Sequence, residues 1–310
     1  MADLLDLVVA GSGIAGASAA LTGARLGLKT VCLVGDVLGG QLLSINKIDG
    51  YPGFPEGVAG YDLCPMAQEQ ALGAGAEIIA GSLDRLQAER GLWRLGTTAG
   101  DMEARGVVLA TGATLKELGV PGEQLFKGKG VSHCASCDAP LLRSKPVVVV
   151  GGGDSACQEA LTLAEAASRV TLLCRGAALR AQEAYRLQVN AAANIDIRFH
   201  HVAEEILGDA GVTAVRARDT RSGATAEIEA AGVFVYVGLQ PATGYLGDAL
   251  QLTGDGRIPT DAALRTALTG IAAAGAVRGG WAGRAAAAAG DGAAAAIAID
   301  RYLRNDDWNN

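Results

Sequence analysis

The sequence predicts an α/β protein made of two Rossmann-like dinucleotide-binding domains, the second inserted into the first. Three observations carry this. Two glycine-rich turns, Gly11-Ser12-Gly13-Ile14-Ala15-Gly16 and Gly151-Gly152-Gly153-Asp154-Ser155-Ala156, each follow an apolar run and precede a helical stretch, the context that gives such a pattern its meaning. Gly/Pro-containing segments at Val120-Pro121-Gly122 and Gly238-Leu239-Gln240-Pro241 mark two crossings between domains. Half of the 310 residues are hydrophobic and 44 are glycine, which suits close helix–sheet packing better than disorder. The expected bounds are 1–117 with 242–310 for the outer domain and 118–241 for the inserted one.

In chain order, Leu4–Ala10 is the first strand and Ala17–Leu26 the first helix. Between them, Gly11 allows the tight turn, Gly13 lets backbone approach a pyrophosphate, and Gly16 lets the helix pack on the strand; the helix N-terminus then faces the phosphates. The strand Lys29–Val34 ends at Gly35-Asp36. Asp36 is placed to hold a ribose, about twenty residues after the fingerprint, or is simply a loop acid. Gly39-Gly40-Gln41-Leu42 and Gly50-Tyr51-Pro52-Gly53-Phe54-Pro55 read as structured loops. A helix is expected over Tyr61–Leu72, and strands over Glu77–Leu86, Trp93–Leu95 and Gly106–Ala110, the last ending in Thr111-Gly112. In the inserted domain the strand Pro146–Val150 meets the second glycine turn, a helix follows over Ala156–Ala167, and strands follow at Arg169–Leu173, Ile195–Phe199, Val212–Asp219 and Gly232–Val237. Gly290-Asp291-Gly292 opens a last helix to about Leu303, and the polar tail Asn305–Asn310 is expected to fray. The Ala285–Ala289 run reads as helix or as a close backbone approach to a ligand rather than low complexity.

His133-Cys134-Ala135-Ser136-Cys137-Asp138 lies between the two fingerprints. A CxxC is either half a zinc site or a redox dithiol. Structural zinc takes four ligands, usually from two such pairs, and no second CxxC exists, so redox chemistry is the better reading. One thiol of such a pair often has a lowered pKa and acts as nucleophile. Asp138 is a candidate proton donor and acceptor, or an ordinary turn or cap residue. His200 and His201 have no Cys, His or acid cluster beside them in sequence, so no metal is expected.

Composition narrows the rest. A formal net charge of −7 argues against nucleic acid as a partner. Scattered cysteines point to a reducing compartment. Met1-Ala2-Asp3 lacks the basic segment of a signal peptide, and the apolar runs are broken by Gly or charge. The cytoplasm is expected, with no membrane span.

These motifs together resemble the low-molecular-weight thioredoxin reductases over nearly the whole length. The residues that carry the resemblance are the fingerprint at Gly11, Gly39-Gly40-Gln41-Leu42, the Pro52-Gly53-Phe54-Pro55 loop, Cys134-Ala135-Ser136-Cys137-Asp138, Gly151–Ala156 and Ala289-Gly290-Asp291-Gly292. The resemblance implies an FAD- and usually NADPH-dependent reductase of protein disulfides. Its FAD domain would be interrupted by a pyridine-nucleotide domain bearing the CxxC, and a homodimer is expected. It implies Cys137 as the cysteine facing the flavin, Cys134 as the one attacking the substrate disulfide, and Asp138 as the acid. FAD contacts fall to Gly11, Gly13, Ile14, Ala15, Gly16, Asp36, Gly40, Gln41, Ala110, Thr111, Gly112, Gly275, Arg284, Ala285 and Ala286. Contacts to NADP(H) fall to Gly151, Gly153, Asp154, Ser155, Ala156, Arg175 and Arg180. The implied partner is a thioredoxin-like protein or a small disulfide or dithiol.

The sequence also departs from the family pattern. Cys174 stands where the family has His and Gly176 where it has a second Arg of the 2'-phosphate cluster, while Arg175 and Arg180 remain. Bidentate Arg suits that phosphate, and one lost charge-assisted contact weakens NADP preference by roughly 1.5–3 kcal/mol. Ala276 stands where the family has an Asp contacting the flavin's ribityl chain, and Ala285 replaces the Gln beside Arg284. Two alternatives follow: an FAD-dependent dithiol oxidase or disulfide reductase with another donor or acceptor, and a non-catalytic nucleotide-binding protein.

Overall fold

The computed structural model describes residues 4–308. The chain forms two compact units: residues up to Thr114 together with those from Gln240 onward, and Leu115–Leu239.

The outer unit begins β1 (Leu5–Ala10), α1 (Ile14–Arg25), β2 (Thr30–Leu33), a 3₁₀ turn at Gly40–Ser44, α2 (Gly60–Gly73) and β3 (Glu77–Ile79). It continues with β4 (Leu83–Glu89), β5 (Leu92–Thr97), β6 (Met102–Leu109) and β7 (Ala113–Leu115). β1 lies between β2 and β6, parallel to both, and β3 extends the sheet beyond β2. β4 and β5 form an antiparallel hairpin on the first part of β6. A parallel strand covered on both faces needs a near-continuous apolar run, and Leu7, Val8, Val9 and Ala10 are all fully buried.

The inserted unit holds β8 (Val131–Ser132), α3 (Ala135–Asp138), β9 (Pro146–Val150), α4 (Asp154–Ala164), β10 (Arg169–Cys174), α5 (Glu183–Ala191) and β11 (Ile195–Phe199). Next come β12 (His201–Gly208), β13 (Val212–Asp219), β14 (Thr225–Glu229) and β15 (Gly232–Val235). Its main sheet is wholly parallel, in the order β11-β10-β9-β15-β8, and β12-β13-β14 form an antiparallel sheet of their own. β16 (Leu239–Pro241) pairs with β7 where the chain passes between units.

Back in the outer unit, β17 (Ile271–Ala273) lies parallel to the end of β6. α6 (Ala285–Asn305) packs on α1 through small residues: a Cβ added at Gly292 would lie 2.0 Å from the Ala15 carbonyl oxygen. The alanine run is therefore helix, with Ala288, Ala295 and Ala296 buried.

Several expectations need correction. The segment read as one strand over Glu77–Leu86 is two, because Gly81 takes φ +156° and turns the chain between β3 and β4. Gly40–Ser44 is a 3₁₀ turn rather than a loop. α6 starts at Ala285, not Gly290. The tail does not simply fray: Trp308 is buried, donates to the Thr266 carbonyl at 3.2 Å and meets Tyr302 edge-on. Residues 309–310 and Met1-Ala2-Asp3 lie outside the described residues. α5, β12 and β14 lack a clear signal in the sequence. α5 buries only Tyr185 and Val189, too thin a stripe to read, and a register shift between Ala203 and Glu205 interrupts the alternation of β12.

Candidate active site

Cys134 and Cys137 form a disulfide, with Cα atoms 5.4 Å apart. Cys134 has extended backbone and caps the short helix α3, its Sγ accepting the Cys137 N–H at 3.3 Å. The Cys134 N–H donates to Ser132 Oγ at 3.0 Å, which ties the turn to the end of β8. The Ser136 hydroxyl lies 3.4 Å from Cys134 Sγ. His133 Nδ1 is 2.9 Å from the Val235 carbonyl, so that nitrogen carries the proton and the ring anchors the turn to β15. The Ala135 N–H donates to Glu159 Oε2 at 3.1 Å. Cys137 is exposed, while Cys134 and Asp138 are half-buried.

The first glycine turn uses each of its glycines differently. Gly11 has φ +106°, and a Cβ there would lie 2.4 Å from the Ala110 carbonyl oxygen. A Cβ at Gly16 would lie 1.7 Å from the Gly11 carbonyl oxygen. Gly13 has ordinary backbone angles, φ −62° and ψ 177°, and a Cβ there would meet nothing nearer than 3.9 Å. Neither conformation nor packing within the chain requires glycine at 13, and the N–H groups at the start of α1 are the kind of site a phosphate ligand takes. This fits a dinucleotide. Ile14, Ala15 and Gly16 supply the first turn of α1, and Gly40 packs its backbone on Gly13, with Gln41 next to it in the 3₁₀ turn. Asp36 is exposed just beyond β2.

At the other strand ends, the Ala110 N–H donates to the Ala10 carbonyl at 2.8 Å. Thr111 Oγ1 donates to the Ala242 carbonyl at 2.8 Å and meets Tyr245. Gly112 takes φ +72° with open space at its Cβ position. The Gly275 N–H donates to the buried Asp291, which Arg278 grips through two nitrogens at 2.8 Å. Ala276 offers only its carbonyl, to Arg257, whose guanidinium also lies 5.7 Å from the Trp281 ring centre. Arg284, in extended backbone, immediately precedes α6, of which Ala285 and Ala286 are the first residues.

The second glycine turn repeats this logic. Gly151 has φ +150° and abuts the Tyr236 carbonyl oxygen, Ala156 is fully buried, and a Cβ at Gly153 would meet nothing within 4 Å. Asp154 opens α4, with Ser155 exposed beside it, and accepts the Gln182 N–H at 2.7 Å. Arg175 and Arg180 are exposed, and the Arg180 N–H donates to the Gly152 carbonyl at 2.7 Å. Cys174 turns inward: its thiol donates to the Ala178 carbonyl at 3.5 Å, and it fills the space under Gly152. Burial pushes the Cys32 and Cys157 thiols up to about 12 and the Cys64 thiol to about 11. Among the described residues no group of three or more His, Cys, Asp or Glu is placed to hold a metal ion, and no helix is long and apolar enough to cross a membrane.

The profile of the pyridine nucleotide-disulphide oxidoreductase family matches residues 5–292. The chain belongs to that family. Thioredoxin reductases of Treponema pallidum (strain Nichols) and Mycolicibacterium smegmatis are each 37% identical to it, over 96% and 97% of this chain and 97% of each relative. The crystal structure of Lactococcus lactis thioredoxin reductase, in its FR conformation, matches with a TM-score of 0.93 at 34% identity, covering 97% of this chain and 99% of the other. The fold is thus the two-domain dinucleotide fold expected from sequence, and the protein is an FAD-dependent disulfide oxidoreductase.

For a pyridine nucleotide-disulphide oxidoreductase, the structure gathers the sequence-read residues into two groups. The residues expected at FAD all belong to the outer unit, and the CxxC and second glycine turn belong to the inserted one. Sequence reading misses Glu159, Tyr236 and the Arg278–Asp291 pair as site components. Asp291 lies within a quoted motif, yet its partner is set by the fold. Glu159 follows the second glycine turn without any motif of its own.

Proposed function

We propose that this protein is a thioredoxin reductase, taking electrons from NADPH or NADH and delivering them through FAD and the Cys134–Cys137 pair to the disulfide of a thioredoxin-like protein. The observation that carries this reading is the Cys134–Cys137 disulfide, closed at the start of α3 in the unit that also holds the second glycine turn. FAD, when bound, supplies the two-electron relay between nicotinamide and disulfide. Gly13 and the N–H groups at the start of α1 would hold its pyrophosphate, and Gly153 and the start of α4 would hold that of the nicotinamide dinucleotide.

Reduction by two electrons and one proton breaks the Cys134–Cys137 bond and leaves one thiol and one thiolate. Asp138, half-buried next to Cys137, is the group that carries a proton to and from them. Cys134 then attacks the partner's disulfide as thiolate, forming a mixed disulfide. Cys137 resolves it, restoring the ring and releasing the partner as a dithiol. Ser132 and His133 hold the turn to β8 and β15 throughout. The working form is a cytoplasmic homodimer, and a net charge of −7 gives nucleic acid no electrostatic hold.

A second reading, with an electron donor other than NADPH or a dithiol oxidase, is favoured by one observation. The 2'-phosphate cluster keeps only Arg175 and Arg180, with Gly176 between them and Cys174 packed inward. The test is anaerobic assay of the FAD-loaded protein with oxidised thioredoxin and each nucleotide. Stoichiometric thioredoxin dithiol is expected with at least one of them. If neither nucleotide yields dithiol while a small dithiol plus oxygen is turned over, the oxidase reading replaces this one.

A further inference from the structure

The Cys134–Cys137 turn leans on a carboxylate outside its own motif. Glu159, in the second turn of α4, accepts the Ala135 N–H at 3.1 Å, the first peptide after Cys134. Burial pushes the Glu159 carboxyl up, partly offset by that N–H bond. Beside it lies the buried Tyr236 hydroxyl, within reach of both the Glu159 carboxylate and the Ala135 peptide. Burial first, then that charge, pushes the phenol up, so it stays protonated. Asp138 on α3 and His133 ahead of it are titratable groups of the turn itself, and α4, which packs on α3, also carries Asp154 and Cys157.

A cysteine at the start of a helical turn ordinarily has its thiolate stabilised by the free N–H groups there. Here the Cys137 N–H still points at Cys134 Sγ. The Ala135 N–H instead donates to Glu159, which places its carboxylate one peptide away from Cys134. We propose that Glu159 is a positioning residue that fixes the dithiol turn through Ala135 and, by its charge, disfavours the Cys134 thiolate, making the pair a stronger reductant. Reduction of the disulfide consumes two electrons and one proton, delivered through Asp138, and yields one thiol and one thiolate. A site that destabilises the thiolate destabilises the reduced form, so the pair gives its electrons up more readily. This rests on Cys134–Cys137 being the working dithiol.

The test uses the FAD-loaded protein reduced with dithiothreitol, as wild type, Glu159→Gln and Glu159→Asp. Two quantities are read: the pH midpoint of Cys134 alkylation by iodoacetamide, and the equilibrium of the pair against a glutathione buffer. Gln can still accept the Ala135 N–H, so a purely structural role predicts no change. The charge role predicts that Glu159→Gln lowers the midpoint by about half a pH unit or more, and favours the dithiol by roughly threefold or more in the equilibrium constant. Glu159→Asp, which keeps the charge, should stay nearer wild type in both. A Gln variant that matches wild type, or equal shifts for Gln and Asp, overturns the proposal. Neither readout depends on NADPH or thioredoxin, so failure of the proposed function would show separately, as absent turnover with an intact midpoint shift.

Discussion

Gly16 sits so close to Gly11 that a Cβ built on it would lie 1.7 Å from the Gly11 carbonyl oxygen. No side chain can enter there without moving α1 off β1. Gly13, three residues earlier, faces open space. The two glycines of one motif therefore make opposite predictions. Gly13→Ala should fold with a melting temperature near wild type, yet purify with roughly tenfold or more weaker FAD binding, because the methyl occupies the phosphate position. Gly16→Ala should destabilise the outer unit by about 1–3 kcal/mol or more, the scale of overpacking. Thermal unfolding and FAD titration of both variants check this; equal FAD loss with equal destabilisation would show that Gly13 serves packing rather than ligand.

The thiols should sort by burial. Cys32 and Cys157 sit at about 12 and Cys64 at about 11. A thiol whose pKa lies above the ambient pH loses thiolate about tenfold for each unit below it, so alkylation near pH 8 should leave these three unmodified and should rise only as the pH climbs toward their values. Peptide mapping after iodoacetamide should find Cys134 and Cys137 labelled only when dithiothreitol is added first. Labelling of Cys157 under those conditions in the folded protein would contradict its burial.

The Arg278–Asp291 pair anchors the Gly275 loop. Both side chains are mostly buried, and removing one partner of such a pair strands the other, at a cost of about 3–5 kcal/mol. Arg278→Ala should lose roughly that stability in urea unfolding and release FAD more readily. Arg278→Ala combined with Asp291→Ala should recover part of the loss. A single variant as stable as wild type would show that the pair does not support the loop.

Discrimination between nucleotides scales with contacts made only to the 2'-phosphate. With Arg175 and Arg180 but Gly176 between them, flavin reduction should prefer NADPH only modestly. Gly176→Arg should raise the preference by about tenfold or more, the scale of one charge-assisted contact. Stopped-flow reduction by each nucleotide measures it; an unchanged ratio in Gly176→Arg would place the adenosine end elsewhere.

Much of this is legible in the sequence because it is local. The glycine turns, the apolar strands at Leu5–Ala10 and Pro146–Val150 and the CxxC are written within a few residues each, and the fold places them as the spacing implies. What escapes is what tertiary packing decides. Glu159 reaches Ala135 across 24 positions, Trp308 closes the C-terminal end on Thr266 across 42, and Cys174 turns inward because Gly152 leaves it room. None of these has a local pattern. α5 is hidden for a related reason: its polar surface outweighs its two buried residues, and only packing beside α4 holds it as helix.

The proposed path carries nucleotide electrons through the flavin to the Cys134–Cys137 disulfide. Its most direct measurement is an anaerobic titration of the FAD-loaded protein with NADPH, following flavin absorbance while counting and mapping new thiols. Two new thiols per chain are expected, at Cys134 and Cys137, and none in Cys137→Ser beyond the single Cys134 thiol that variant already carries. Bleaching of the flavin with the Cys134–Cys137 disulfide left intact would contradict it.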